Sequence, residues 1–207
     1  MRLLIITAAA AMLMGAAPPP DSYDFKGIRL GATIDELKAI KLDPAVEPGQ
    51  HFACAGDPDF PASITLPPSN AKIGVVECSL VEKIGRDWLP ASVKLTPELS
   101  AWMRVRAYRG RIYQIELHPD LVARFTVERS LRAKLGEPLE VSEDRVQTKT
   151  GETFPQRSLM WARGGQAVTM VAPDLQLQKM TVDYLDATAS AAVDAARGAA
   201  EASDRAM

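Results

Sequence analysis

The sequence predicts an α+β fold, a mostly antiparallel sheet with two helices packed on one face. Three observations predict it. Short alternating apolar runs joined by Gly-containing turns dominate the chain. Two stretches carry helical periodicity together with capping signals. Each of these stretches is followed by strands, an order that also allows two helix-plus-strands units.

The chain starts with Met1-Arg2, runs apolar and uncharged from Leu3 to Met14, and continues through small Gly15-Ala16-Ala17 to Pro18-Pro19-Pro20. This is the layout of a secretory signal peptide over residues 1–17. The apolar run falls short of the roughly 20 residues that cross a bilayer, so no transmembrane segment is expected after its removal. No cysteine precedes Cys54, so no lipid-attachment cysteine lies near the signal. The expected location is the bacterial periplasm, or secretion. Residues 18–186 then form a single α+β domain, and the Ala-rich residues 187–207 form a helical or disordered tail.

Phe25 to Leu30 alternates as a short strand, and Gly31 ends it. Thr33-Ile34-Asp35-Glu36 has the spacing of a capping box, with Ile34, Leu37 and Ile40 on one side of the helix that follows. Residues 41–71 contain many prolines and small residues and read as a long loop. Ile73 to Val81 reads as a strand. Trp102–Tyr108 and Ile112–His118 read as a hairpin around Arg109-Gly110. Met103, Val105 and Ala107 share one face of it with Tyr113, Ile115 and Leu117, and Arg104 and Arg106 take the other. Asp120 is a candidate N-cap for a second helix with Leu121, Phe125, Val127, Leu131 and Leu135 on its apolar stripe. Gly136 and Pro138 stop that helix. Strands follow at Ser158–Ala162, Gln166–Ala172 and Leu175–Tyr184, with Trp161 as a core anchor.

Cys54 and Cys78 are the only cysteines. In an oxidising compartment they are expected to form one disulfide, which pins the 41–71 loop; two buried thiols are the alternative.

The pattern Phe25-x-Gly27-Ile28-x-Leu30-Gly31-x-Thr33-x-x-Glu36-Leu37-Lys38 resembles the opening of small exported bacterial proteins. The stretch from Leu121 to Gly136-Glu137-Pro138, with a tryptophan strand after it, fits the same likeness. The architecture is similar to the SmpA/OmlA-type lipoproteins of outer-membrane assembly and to the β-lactamase-inhibitor-protein fold, which repeats a helix-plus-sheet unit. The resemblance implies an α+β envelope protein and transfers no functional residue. The chain departs from the lipoproteins in lacking a lipidation cysteine and in carrying the Cys54 loop.

Net charge is −2, which argues against a general nucleic-acid binder. Ser69-x-x-Lys72 and Lys149-Thr150-Gly151 match two boxes of penicillin-interacting serine enzymes. However, Ser69 follows two prolines and reads as leading into a strand, and a third box is missing. His51, Cys54, Cys78 and His118 lack the local spacing of a zinc site, so no metal or other cofactor is expected. No nucleophile elbow, P-loop or dinucleotide motif occurs. His118, at a strand end, is a candidate acid–base residue.

Charge is uneven. Residues 101–135 hold eight Arg and Lys against three Asp and Glu. Arg104, Arg106, Arg109 and Arg111 form a candidate anion- or partner-binding face. The alternative is a solvated arginine face balanced by acids elsewhere, with the acidic tail as a candidate cover. The expected function is a non-catalytic binding or envelope-associated module whose partner is an envelope protein or an anionic envelope component. The competing expectation is a periplasmic hydrolase with an unrecognised active site around His118.

Overall fold

The computed structural model describes residues 22–65, 67–147, 151–174 and 178–205. Residues 1–17, assigned above to the signal peptide, lie outside them. Asp24–Phe25 (β1) and Ile28–Arg29 (β2) form a two-stranded ribbon. The other ten strands make one sheet: His51–Cys54 (β3), Val75–Ile84 (β4), Asp87–Pro90 (β5), Ser92–Lys94 (β6), Ser100–Tyr108 (β7), Arg111–Pro119 (β8), Glu140–Gln147 (β9), Thr153–Arg163 (β10), Gln166–Ala172 (β11) and Thr181–Asp186 (β12). Its spatial order is β3-β4-β7-β8-β12-β11-β10-β9, with β5 on β4 and β6 on β7, and every pairing is antiparallel.

Four α-helices accompany the sheet among the described residues: Ile34–Lys38 (α1), Pro68–Lys72 (α2), Arg124–Leu135 (α3) and Ala187–Arg205 (α4). Leu37 of α1 and Val127 and Leu131 of α3 join Met103, Val105, Ile115, Leu159, Trp161, Met170 and Val182 in the main core. A smaller cluster joins Val193 of α4 to Val75 and Tyr113.

Local chemistry explains these elements. The capping box is present in full: Glu36 N–H donates to Thr33 Oγ1 at 3.2 Å and Thr33 N–H donates to Glu36 Oε2 at 2.7 Å. Arg109 and Gly110 both have positive φ, as a two-residue turn between twisted strands requires. Cys54 faces Cys78 across β3–β4, and the disulfide between them is formed.

Several expectations are corrected. The 41–71 stretch contains β3 and α2, so Ser69 sits in a short helix and does not lead straight into a strand; Lys149 and Thr150 lie outside the described residues. A register shift between Arg106 and Ala107 leaves Tyr113 as an extra residue on β8. Tyr113 therefore packs under α4 and not beside Ile115 in the main core. Asp120 makes no side-chain cap and pairs with Lys179. Phe125 is 66% exposed, off the buried stripe of α3. The strand β9 was not foreseen, and β10 starts well before Ser158. The last strand begins at Thr181; residues 175–177 lie outside the described ones.

Candidate functional site

Alternation along β7 buries Ala101, Met103, Val105 and Ala107 and leaves Trp102, Arg104, Arg106 and Tyr108 part-exposed on the other face. Register then chooses their neighbours. Trp102 lies opposite His118, Arg104 opposite Glu116 and Arg106 opposite Gln114 on β8. On the other flank Glu77 of β4 lies opposite Arg106. One strand further, Asp183 of β12 lies opposite Glu116.

The result is a charged network across four strands. Arg104 Nε is 2.8 Å from Glu77 Oε1 and its Nη1 is 3.5 Å from Glu116 Oε2. Arg106 reaches the same two carboxylates at 3.5 Å and 3.3 Å. Arg106 Nη1 donates to Gln114 Oε1 at 2.7 Å, which turns the Gln114 amide N–H toward both oxygens of Asp183, at 3.1 Å and 2.9 Å. His118 Nε2 is 3.3 Å from Glu116 Oε1, and Nδ1 faces Asp174 at 3.9 Å. The Trp102 ring carries the Arg104 guanidinium at 4.6 Å and lies 5.2 Å from the His118 ring.

The Glu77 side chain is only 4% exposed. A carboxylate this buried needs its cations close. The contacts are close but strained in direction. Arg104 Nε, Arg106 Nε and Glu116 Oε2 are all buried without an aligned hydrogen-bond partner. Two polar depressions open along the same face. One, of about 420 Å³, is lined by Ser92, Ser100, Trp102, Arg104, Glu116 and His118. The other, of about 450 Å³, holds Arg106, Tyr113, Gln114 and Asp183 beneath Asp194 and Arg197 of α4. The tail thus covers one end of the arginine face and leaves the Trp102 end open.

The two central carboxyls titrate in opposite directions. Burial pushes Glu116 upward, but the bond to His118 and the charges of Arg106 and Arg104 outweigh it, and its pKa is held below 4.5. Burial dominates at Asp183, and with the nearby Glu116 charge it overrides the Gln114 bond and Arg106, raising its pKa from 3.8 to about 6. The fold therefore favours protonated Asp183. Its stabilising effect is complete below the unfolded pKa near 3.8 and is lost as pH rises through about 6. Asp183→Asn is accordingly expected to raise unfolding free energy by about 1–3 kcal/mol at pH 7, with little change near pH 4. Urea titrations at the two pH values check this; an equal gain at both would contradict it.

Of the four arginines singled out in the sequence, Arg104 and Arg106 share this network. Arg109 instead stacks on Tyr108 at 5.0 Å, and Arg111 Nη1 donates to Gly31 O at 2.9 Å. Sequence reasoning missed Glu77, Gln114, Asp174 and Asp183. Glu77 carried the one available signal, a carboxylate inside an otherwise apolar strand.

Comparison with family models, curated proteins and solved structures finds no match. Function must be read from geometry. His118 has carboxylates at both nitrogens and an indole beside its ring, and among the described residues no Ser, Thr or Cys hydrogen-bonds to it. Both cysteines are in the disulfide. No group of three or more His, Cys, Asp and Glu among the described residues is arranged to hold a metal ion, and no described helix is long and apolar enough to cross a membrane.

Proposed function

We propose that this is an exported, periplasmic, non-catalytic binding module, and that it recognises an envelope protein through the open end of the charged sheet face around Trp102, Arg104, Glu116 and His118. The observation that carries this reading is a pre-paired charge network, held on adjacent strands and flanked by the part-exposed Trp102 ring and a depression of about 420 Å³. Fixed side chains lose little freedom on binding. A triad-type hydrolase draws no support from His118, to which no Ser, Thr or Cys among the described residues hydrogen-bonds. The network holds Glu77, Glu116, Asp174 and Asp183 against Arg104 and Arg106, so its balance fits a basic or mixed polar partner better than an anion. Export is supported by the signal-like residues 1–17 and by the disulfide.

The chain also reads as two helix-plus-strands units in the manner of the β-lactamase-inhibitor-protein fold. In support, α1 precedes β3-β4-β7-β8, α3 precedes β9-β10-β11-β12, and the last strands of the two sets pair.

Replacing Trp102 with a photo-crosslinking phenylalanine should capture a defined envelope protein, and the same probe at Glu140 on β9 should not. Trp102→Ala with His118→Ala should abolish that complex without changing the melting temperature. Identical products from both probe positions would overturn the binding face. Ester or peptide hydrolysis that is lost in His118→Ala would favour the enzyme.

A further inference from the structure

Helix α3 shows solvent a face that its apolar spacing assigns to the core. Val127 and Leu131 point into the main cluster, so Phe125 and Arg129 share the outward side, with Val122 one turn before them. Val122 is 91% exposed and Phe125 66% exposed. Beyond the helix, Leu139 just before β9 and Val141 within it are also open to solvent. Single exposed apolar side chains are ordinary, whereas a concentration along one helix and its exit marks a contact surface.

Charge decides what covers it. A depression of about 540 Å³ lies between α3 and the β9–β10 hairpin, and arginines outnumber glutamates around it. Arg132 pairs with Glu128 at 3.0 Å, and Arg157 pairs with Glu143 at 2.6 Å. Arg124 and Arg129 have no carboxylate partner among the described residues. Arg124 lies over the Phe125 ring at 4.4 Å, and its Nε is buried without a hydrogen-bond partner. Two uncompensated guanidiniums therefore flank two projecting apolar side chains. An acidic peptide seated in the depression would satisfy the arginines and leave Val122 in water. A bilayer with anionic headgroups satisfies both, because phosphates meet the guanidiniums while Val122 and Phe125 enter the boundary between headgroups and acyl chains.

We propose that the N-terminal end of α3 and the 3-10 turn before it (Leu121–Ala123), with Val122, Phe125 and Arg129 facing outward and Arg124 beside them, dock this protein peripherally on an anionic lipid surface. The contact uses no residue of the charged sheet face, so the two readings fail independently.

Protein recovered after export from a bacterial expression host would be sedimented with phosphatidylcholine vesicles, with and without phosphatidylglycerol. Wild type should bind only the anionic vesicles and release as salt rises. Val122→Ser with Phe125→Ser, and separately Arg124→Gln with Arg129→Gln, should each weaken binding by roughly tenfold or more at unchanged melting temperature. Phe125→Ser alone, expected to weaken binding several-fold, replaces the double variant if the latter melts early. Equal binding to both vesicle types, or variants that bind like wild type, would overturn the proposal. So would saturable binding to a poly-glutamate peptide without binding to vesicles, which would assign the face to an acidic protein.

Discussion

Trp161→Ala is expected to destabilise the protein by about 3–5 kcal/mol, the usual cost of emptying a large aromatic site. Trp161 is 1% exposed near the C-terminal end of β10, and its indole N–H donates to Gly136 O at 2.9 Å. One side chain thus fills the core and fastens the end of α3 to the sheet. Truncation leaves a cavity between α3 and β10 and frees that helix end. For a domain of this size the loss corresponds to a fall of about 6–20 °C in Tm. Trp161→Phe keeps most of the volume but loses the donor, so it should cost about half as much. Thermal unfolding of the three proteins checks the ordering. A Tm for Trp161→Ala within about 2 °C of wild type would show that the site collapses without a cavity.

Loss of the Cys54–Cys78 disulfide is the second large effect. The sequence separation is 24 residues, and the chain-entropy account assigns such a loop about 3–4 kcal/mol. The local consequence is specific, because β3 is an edge strand whose sheet partner is β4 and the chain between the cysteines otherwise runs through turns and the short α2. Both cysteines are buried, so alanine is the appropriate replacement for each. The double alanine variant should unfold at lower denaturant, and hydrogen exchange should rise first over residues 51–54 and 68–72. Reduction of the wild type should reproduce that pattern. Equal unfolding midpoints for oxidised and reduced protein would remove the disulfide from the account.

The parts legible in the sequence were those governed by short-range chemistry. Thr33 and Glu36 announced a helix start because both halves of a capping box lie within four residues. The β7–β8 hairpin was legible from alternation and from Arg109-Gly110, and Cys54 and Cys78 had only each other to pair with. The failures have equally definite causes. Phe125 lies close enough to Val127 in the chain to join any apolar stripe, yet two residues on a helix point well apart, and packing selected Val127. β9 was hidden because an edge strand beside a helix can be rich in charge, as Glu140, Glu143, Asp144 and Arg145 show. Tyr113 changed faces through a bulge that no residue type marks. The candidate site was half legible. The arginines stood out as a charge imbalance, but the carboxylates that neutralise them, Glu77 and Glu116, come from β4 and β8, and Asp183 of β12 joins through Gln114, a pairing that only the register of distant strands reveals.

Between the first four main strands and the last four, the sheet is continuous only through β8 and β12, where four residue pairs run from Leu117–Val182 to Gln114–Leu185. The C-terminal helix leaves β12 and crosses back, so that Val193 seats against Val75 and Tyr113 on the far side of that seam. The end of the chain therefore works as a buckle. Anything that lifts the final helix, whether proteolytic trimming or a fused tag, loosens the seam that sets Glu116 opposite Asp183 beside the arginines of β7.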